Sequence, residues 1–368
     1  MKIKAAVLYD YNTPLKVEEI ELDEPKVGEV RVKIEATGFC HTDLHYITGD
    51  MFGPMPMVLG HEGAGIVDAV GPGVTSLKPG DNVVMGVCSP CGRCPQCGAG
   101  LPYKCEIGPE RRRTGGLPTD GTGRMHKNGE PLYYCFGQSS FAEYVVVNEM
   151  GVAKINNDAP FDKVCALGCG IGTGLGAVLN NPRIKVDPGD SVAVFGCGTV
   201  GLSVIMGAKL LNVSHIVAID LLDNKLEVAK EVGATLTINA SRRDPVERTV
   251  LDIGPVDYAF ECVGKPALVN QAFDITKPLG GAALILGAMP MGQTVTFEGF
   301  TFLLGRSVIG VGGGFMRPLY DIPRYVDLYM KGQLPLDKLI THHVKLDDIN
   351  KAVEMLQKGE SIKTVVHP

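Results

Sequence analysis

The sequence has no apolar run of membrane length, no excess of basic charge, no low-complexity tract and no internal repeat. Its most apolar windows, such as residues 280–287, fall far short of the ~18 residues that a membrane-crossing helix needs. The opening residues Met1-Lys2-Ile3-Lys4-Ala5-Ala6-Val7-Leu8 lack both a long apolar stretch and a small-residue cleavage site, so the expected compartment is the cytoplasm. A formal net charge of −6 argues against a phosphate-backbone partner, because nucleic-acid binders ordinarily present a basic surface.

What the chain does have is cysteine. Eleven occur among 368 residues, and five of them fall between Cys88 and Cys105. An odd, clustered set in a long chain without a secretion signal fits metal binding better than a disulfide scaffold. The length leaves room for about two domains of ~100–200 residues each, and 45% hydrophobic with 21% charged residues is an ordinary globular balance.

Two textures divide the chain. The first ~170 residues read mainly as strands and turns. Val30, Val32 and Ile34 alternate with polar neighbours, and glycine and proline punctuate the next segments, as in Gly71-Pro72-Gly73. Beyond that, apolar strand candidates at 191–195, 215–220, 236–239, 256–262, 282–286 and 307–311 are separated by helical patterns at 200–211, 224–232 and 267–275. Alternating strands and helices imply a parallel sheet covered on both faces. After about residue 313 the pattern changes again, with Ile349, Val353 and Leu356 at helical spacing behind Asp347 and Asp348. Whether this tail returns to the first domain is not readable from its residues.

Gly196-Cys197-Gly198-Thr199-Val200-Gly201 is a G-x-G-x-x-G directly after a strand and opening a helix. The first glycine permits a tight turn, the second lets backbone approach a pyrophosphate, and the third lets helix and strand pack closely. The helix N-terminus offers unpaired N–H groups to the phosphates. Asp220 follows at the end of the next strand, roughly the ~20-residue interval of a ribose ligand. Its carboxylate would repel a 2′-phosphate, and Leu221 and Leu222 supply no arginine, so NAD is expected over NADP.

Cys91, Cys94, Cys97 and Cys105 form C-x2-C-x2-C-x7-C, spacing suited to a tetrahedral, fully protein-ligated structural zinc. Cys88 extends the run, and on spacing alone an iron–sulfur cluster stays open. Elsewhere Cys40-His41-Thr42-Asp43-Leu44-His45, Gly60-His61-Glu62-Gly63 and Gly168-Cys169-Gly170 hold candidate ligands, with Cys165 nearby. Spacing does not bring these three segments together. Taken singly, His61 reads as a core histidine, and Cys40 or Cys169 as a small buried apolar residue.

These motifs, with the four-cysteine lobe and Gly359-Glu360-Ser361-Ile362-Lys363-Thr364, together resemble the zinc-containing alcohol dehydrogenases of the medium-chain dehydrogenase/reductase family, over about residues 5–366. The resemblance implies an α/β fold: a GroES-like β-rich catalytic domain at 1–170 and 313–368, and a Rossmann doubly wound NAD-binding domain at 171–312. It implies two zinc ions per subunit. Cys40, His61 and Cys169 would hold the catalytic one with a fourth position open, and the four-cysteine lobe the structural one, leaving Cys88 and Cys165 as non-ligands. Glu62 would stand near the catalytic zinc, and Asp43 would orient the ligating histidine. Thr42 would take the substrate proton and pass it through the nicotinamide ribose to His45. Besides the glycine loop and Asp220, the resemblance places His41 and Lys363 beside the cofactor pyrophosphate and Lys225 beside the adenosine ribose.

Met51, Val87 and Phe136 would line the substrate pocket, with Val87 standing where several relatives carry a bulky aromatic. The reaction implied is reversible oxidation of a primary alcohol, medium-chain or aromatic such as benzyl alcohol, to the aldehyde. The alternative is oxidation of a thiol–formaldehyde adduct, for which Arg111, Arg112 and Arg113 offer anion recognition. A further alternative is a non-enzymatic zinc-binding protein that keeps the fold. A long loop at 111–136 and an edge strand at 307–311 imply a homodimer.

Overall fold

The computed structural model spans residues 1–368 and describes all of them except the side chains of Pro109, Arg111 and Arg112. The chain divides into two compact units, Met1–Cys169 with Met316–Pro368, and Gly170–Phe315. Among the described residues no single helix is long and apolar enough to cross a membrane.

In the first unit, strands Lys2–Leu8, Lys16–Leu22, Met125–Lys127, Glu130–Tyr134 and Met57–Val58 close a small barrel. A second, seven-stranded sheet is centred on Glu29–Phe39, which pairs antiparallel with Gly63–Val70 on one edge and with Tyr144–Asn148 and Lys363–His367 on the other. Val30, Val32 and Ile34 are buried as their alternation predicts. Glu29, at the head of the same strand, departs from a half-buried pattern. It is fully buried because Arg124 forks onto it, Nε to Oε2 at 2.9 Å and Nη2 to Oε1 at 2.6 Å. Such a bidentate pair satisfies both charges at once.

The C-terminal tail returns to the first unit. Thr364 stands opposite Phe39 and Val366 opposite Thr37, so the last strand belongs to that unit's larger sheet. Helix Ile349–Gln357 buries Ile349, Ala352 and Leu356 on one face.

The second unit is a six-stranded, wholly parallel sheet. Its order is Leu236–Asn239, His215–Asp220, Ser191–Phe195, Tyr258–Glu261, Ala282–Ile285, Ser307–Gly310. Read in chain order this is 3-2-1-4-5-6, the doubly wound arrangement whose reversal at the first strand opens a ligand crevice. All five residues of Ser191–Phe195 are buried, the continuous apolar texture of a strand covered on both faces. Helices Thr199–Leu210, Asp223–Val232, Pro245–Ile253 and Pro266–Asp274 lie between the strands in sequence.

Candidate active site

Cys40 links the end of strand Glu29–Phe39 to helix His41–Thr48. Its amide donates to Asp43 Oδ2 at 3.0 Å, while Asp43 Oδ1 accepts from the Gly60 amide at 3.1 Å and lies 3.0 Å from His61 Nδ1. One buried carboxylate therefore clamps two distant segments. A carboxylate only accepts, so His61 Nδ1 carries the proton and Nε2 presents its lone pair. That Nε2 is buried and has no hydrogen-bond partner among the described residues.

Cys40, His61, Glu62 and Cys169 offer ligand atoms within 4.8 Å of one another. Burial pulls the His61 imidazolium down, but Asp43 and Cys169 outweigh it and raise its pKa, so the negative groups here favour a cation at Nε2, either a proton or a metal ion in its place. A hydrogen bond with Cys169 holds the Cys40 thiol well below its usual range against burial, helped by Lys363; the same bond and burial push Cys169 up. Two sulfurs and a bare imidazole nitrogen around one point that favours a cation fit a zinc ion with one position left open.

Cys169 follows Gly168, where a side chain could not fit: its Cβ would lie 2.1 Å from the Met85 carbonyl oxygen. Gly168 O also accepts from the Val87 amide at 2.7 Å, which ties this segment to the end of strand Asn82–Met85.

Lys363 and Glu62 meet across 301 residues of chain, Nζ to Oε2 at 2.7 Å, and Nζ also donates to Phe39 O at 3.2 Å. The ammonium is thus buried beside the candidate metal ligands; the resemblance places it at the cofactor. Burial raises Glu62 despite the pull of Lys363, whereas Glu62 and Cys40 keep Lys363 protonated against burial. Sequence reasoning missed Cys135. Its sulfur shares a 4.8 Å group with Asp43 and His61, and nothing in its sequence context signals that. Cys165 stays apart, fully buried, its thiol 3.9 Å from Asp162 O.

The second cluster, Cys91, Cys94, Cys97 and Cys105, also brings its four sulfurs within 4.8 Å of one another; Cys88 is not among them. The Cys91 amide donates to Cys105 Sγ and the Cys94 amide to Cys91 Sγ. Amides of Glu106 and Cys97 hold the Cys94 thiol down at about 6, while burial and the neighbouring sulfurs push Cys97 up to about 12. Four crowded sulfurs, some favoured as thiolates and some not, are reconciled by a divalent cation.

In the second unit Gly196 turns at φ 93°, and a Cβ at Gly201 would lie 1.8 Å from Gly196 O, so the last glycine is required for close packing. A Cβ at Gly198 would meet nothing within 4 Å, leaving open space where the motif expects a pyrophosphate. Thr199 and Val200 begin the helix as expected. Asp220 has a second task that its position alone did not reveal. Oδ2 accepts from the Cys197 amide at 2.7 Å, and Oδ1 from the Leu221 and Leu222 amides, so it braces the glycine loop. Lys225 is half-buried on helix Asp223–Val232; His41 is exposed at the start of its own helix.

Thr42 and His45 are both half-buried on helix His41–Thr48, and His45 Nδ1 lies 3.2 Å from Asp50 Oδ2. Val87 and Phe136 line a cavity of about 20 Å³ with Ser89, Pro118 and glycines. Met51 packs against the same apolar cluster as Phe136 without lining that cavity. The Phe136 ring centroid lies 5.2 Å from that of His61. The side chains of Arg111 and Arg112 lie outside the described residues, and Arg113 is exposed.

Residues 26–157 match the family described as alcohol dehydrogenase GroES-like domain, and residues 199–330 match zinc-binding dehydrogenase. The chain is 42% identical over 370 residues to S-(hydroxymethyl)glutathione dehydrogenase of Escherichia coli, covering 100% of both chains. The chain belongs to the zinc-containing alcohol dehydrogenases of the medium-chain dehydrogenase/reductase family. Two solved structures of this family agree over the whole length. The benzyl alcohol dehydrogenase of Acinetobacter calcoaceticus has a TM-score of 0.93 at 36% identity, covering 100% of this chain and 99% of that one. An alcohol dehydrogenase zinc-binding domain protein of Burkholderia ambifaria has a TM-score of 0.94 at 36% identity with the same coverage. The expected α/β fold, GroES-like domain plus Rossmann-like sheet, is thus established, and the protein is a zinc-dependent oxidoreductase that uses a nicotinamide dinucleotide. Membership sets aside the non-enzymatic reading, and zinc is the cation that the four-sulfur lobe of a zinc-binding family would hold.

Proposed function

We propose that this dehydrogenase reversibly oxidises an aromatic or medium-chain primary alcohol to its aldehyde with NAD. One observation carries the substrate class. Phe136 lies 5.2 Å from His61 and meets Tyr46 edge-on at 6.2 Å, an aromatic wall directly against a candidate metal ligand. Offset and edge-on ring contacts favour a further aromatic partner.

Zinc held by Cys40, His61 and Cys169 would supply a Lewis acid that makes a bound hydroxyl acidic near neutral pH. The chain's own residues handle orientation and the proton. Asp43 fixes the His61 tautomer and the position of Cys40 together. Thr42 and His45, three residues apart on one helix face, would pass the proton outward, the hydroxyl taking it from the reacting oxygen and the imidazole releasing it to solvent. His45 is 24% exposed and steadied by Asp50, which suits the outer end of a proton path. His45→Gln is expected to slow turnover roughly 10²-fold, with added imidazole restoring part of the rate. Turnover unchanged at every pH would remove His45 from the path.

The function is tested on a panel of ethanol, 1-hexanol, benzyl alcohol and S-(hydroxymethyl)glutathione, each with NAD and with NADP. Benzyl alcohol should exceed ethanol by about 10-fold or more in kcat/KM, as expected for apolar pocket contacts worth ~1–3 kcal/mol. NAD should exceed NADP because Asp220 repels a 2′-phosphate. Equal rates for ethanol and benzyl alcohol would sink the aromatic assignment. Highest kcat/KM for the glutathione adduct would favour the second reading, which the 42% identical relatives support.

A homodimer is supported by the edge strand Ser307–Gly310 and by Phe300 and Leu303 beside it in sequence, exposed by 64% and 80%. Sedimentation at twice 39.2 kDa is expected; the mass of a single chain would refute it.

A further inference from the structure

Glu261 ends the strand Tyr258–Glu261 and is fully buried, with no lysine or arginine paired to it among the described residues. A carboxyl taken out of water without a cation is costly unless hydrogen bonds take over. Here they come from the loop that follows. Oε1 accepts from the Val263 amide at 2.9 Å and from the Gly264 amide at 2.8 Å. Oε2 is buried with no hydrogen-bond partner among the described residues. Burial pushes the carboxyl's pKa up, and the loop amides pull against it.

That loop stands at the carboxyl ends of three adjacent parallel strands, Ser191–Phe195, Tyr258–Glu261 and Ala282–Ile285. In a doubly wound sheet this is the edge along which a dinucleotide lies. Val263 reaches the glycine loop: a Cβ at Gly196 would lie 2.5 Å from Val263 Cγ2. Gly264 turns at φ 88°, and a Cβ there would lie 2.3 Å from the Ala288 carbonyl oxygen. A Cβ at Gly287 would lie 2.0 Å from the Gly264 amide nitrogen and 2.7 Å from Glu261 Oε2. The Glu261 carbonyl also accepts from the Leu286 and Gly287 amides, at 2.8 and 3.0 Å. Three loops thus pack on one another without room for a methyl group, and Glu261 sits at their junction.

We propose that Glu261 is a positioning residue for the nicotinamide dinucleotide, holding the 262–264 loop against the glycine loop so that the two meet the cofactor as one rigid edge. Asp220 braces the glycine loop from the strand on one side of Ser191–Phe195, through the Cys197 amide at 2.7 Å; Glu261 does so from the strand on the other side. The two loop amides require an acceptor oxygen at the reach of a glutamate side chain. They do not require its charge, so a glutamine serves equally and an aspartate, shorter by one C–C bond, does not.

The test titrates zinc-loaded protein with NADH and with NADPH by nicotinamide fluorescence, each variant being compared on whichever cofactor the wild type binds more tightly. Glu261→Asp should weaken binding at least 10-fold and raise the cofactor KM in step, with kcat within 3-fold of the wild type. Glu261→Gln should bind within 3-fold of the wild type. Thr249→Val controls for stability alone: Thr249 is buried in the same unit, and its hydroxyl donates to Pro245 O at 2.8 Å within its own helix. That variant should lower Tm and leave the cofactor Kd unchanged. A wild-type Kd in Glu261→Asp, even with a lowered Tm, would make Glu261 purely structural and overturn the assignment. So would a loss in Glu261→Gln equal to that in Glu261→Asp, or an equal loss in Thr249→Val. If Glu261→Asp does not fold, Glu261→Gln decides by itself: Kd within 3-fold supports the acceptor role, and a larger loss refutes it.

Discussion

Replacing Cys169 with alanine is expected to lower kcat/KM by at least ~10³-fold, about 4 kcal/mol of transition-state stabilisation at ~1.36 kcal/mol per decade, and to leave one zinc per chain in place of two. The reason lies in what the cluster must hold. Cys40, His61 and Cys169 gather around one point, and His61 Nε2 has no other partner there among the described residues. With Cys169 gone, the remaining sulfur and imidazole no longer enclose an ion tightly, and the reaction loses the Lewis acid that shifts a hydroxyl pKa by several units. The control is Cys165→Ala, four residues upstream. Cys165 is buried more deeply than Cys169 but lies outside the cluster, so that variant should keep both zinc ions and most of its turnover. Metal content by mass spectrometry and steady-state kinetics decide the matter. A Cys169→Ala protein with two zinc ions and normal turnover would end the assignment of this cluster as the active site.

The second large effect is on stability. Cys97→Ser should remove the other zinc and destabilise the protein by on the order of 4 kcal/mol, the range associated with losing a structural metal. At ~2–4 °C per kcal/mol this is a drop of about 10 °C in Tm. The lobe has little else to hold it. Its regular structure is the four-residue helix Pro95–Gly98 and the single turn Pro102–Lys104, with no buried residue in either. Asn148 Nδ2 anchors its base through Pro90 O at 2.6 Å. Limited proteolysis should cut Cys97→Ser between about residues 90 and 108 and spare the wild type. Cys88→Ser is the control, since Cys88 does not share the four-sulfur group. Wild-type Tm and zinc content in Cys97→Ser would show that the lobe stands without metal.

The two effects separate cleanly because the two clusters differ in kind. The lobe cysteines are close in sequence and all four are sulfur, so the site closes on itself. The other cluster draws on residues 40, 61 and 169 and keeps Glu62 engaged by Lys363 at 2.7 Å. A carboxylate held by a buried ammonium is less available as a fourth ligand, which suits a site that must accept a substrate oxygen.

Much of this protein was determined by local sequence. The period-2 run at the head of strand Glu29–Phe39, the strand–glycine–helix pattern at Gly196, and the tight cysteine spacing each act within a few residues, where geometry comes directly from backbone periodicity and ligand reach. The bracing of the glycine loop by Asp220 and the burial of Glu29 against Arg124 depended on folding, because each joins residues that only the sheets bring side by side. The meeting of Cys40, His61 and Cys169 likewise came from tertiary structure: Asp43 reaches back to the Cys40 amide and across to Gly60 and His61. Lys363 owes its place to the antiparallel pairing of the last strand with Glu29–Phe39, a contact that no local pattern encodes because hydrogen-bond register between distant strands is chosen by the whole core they bury together.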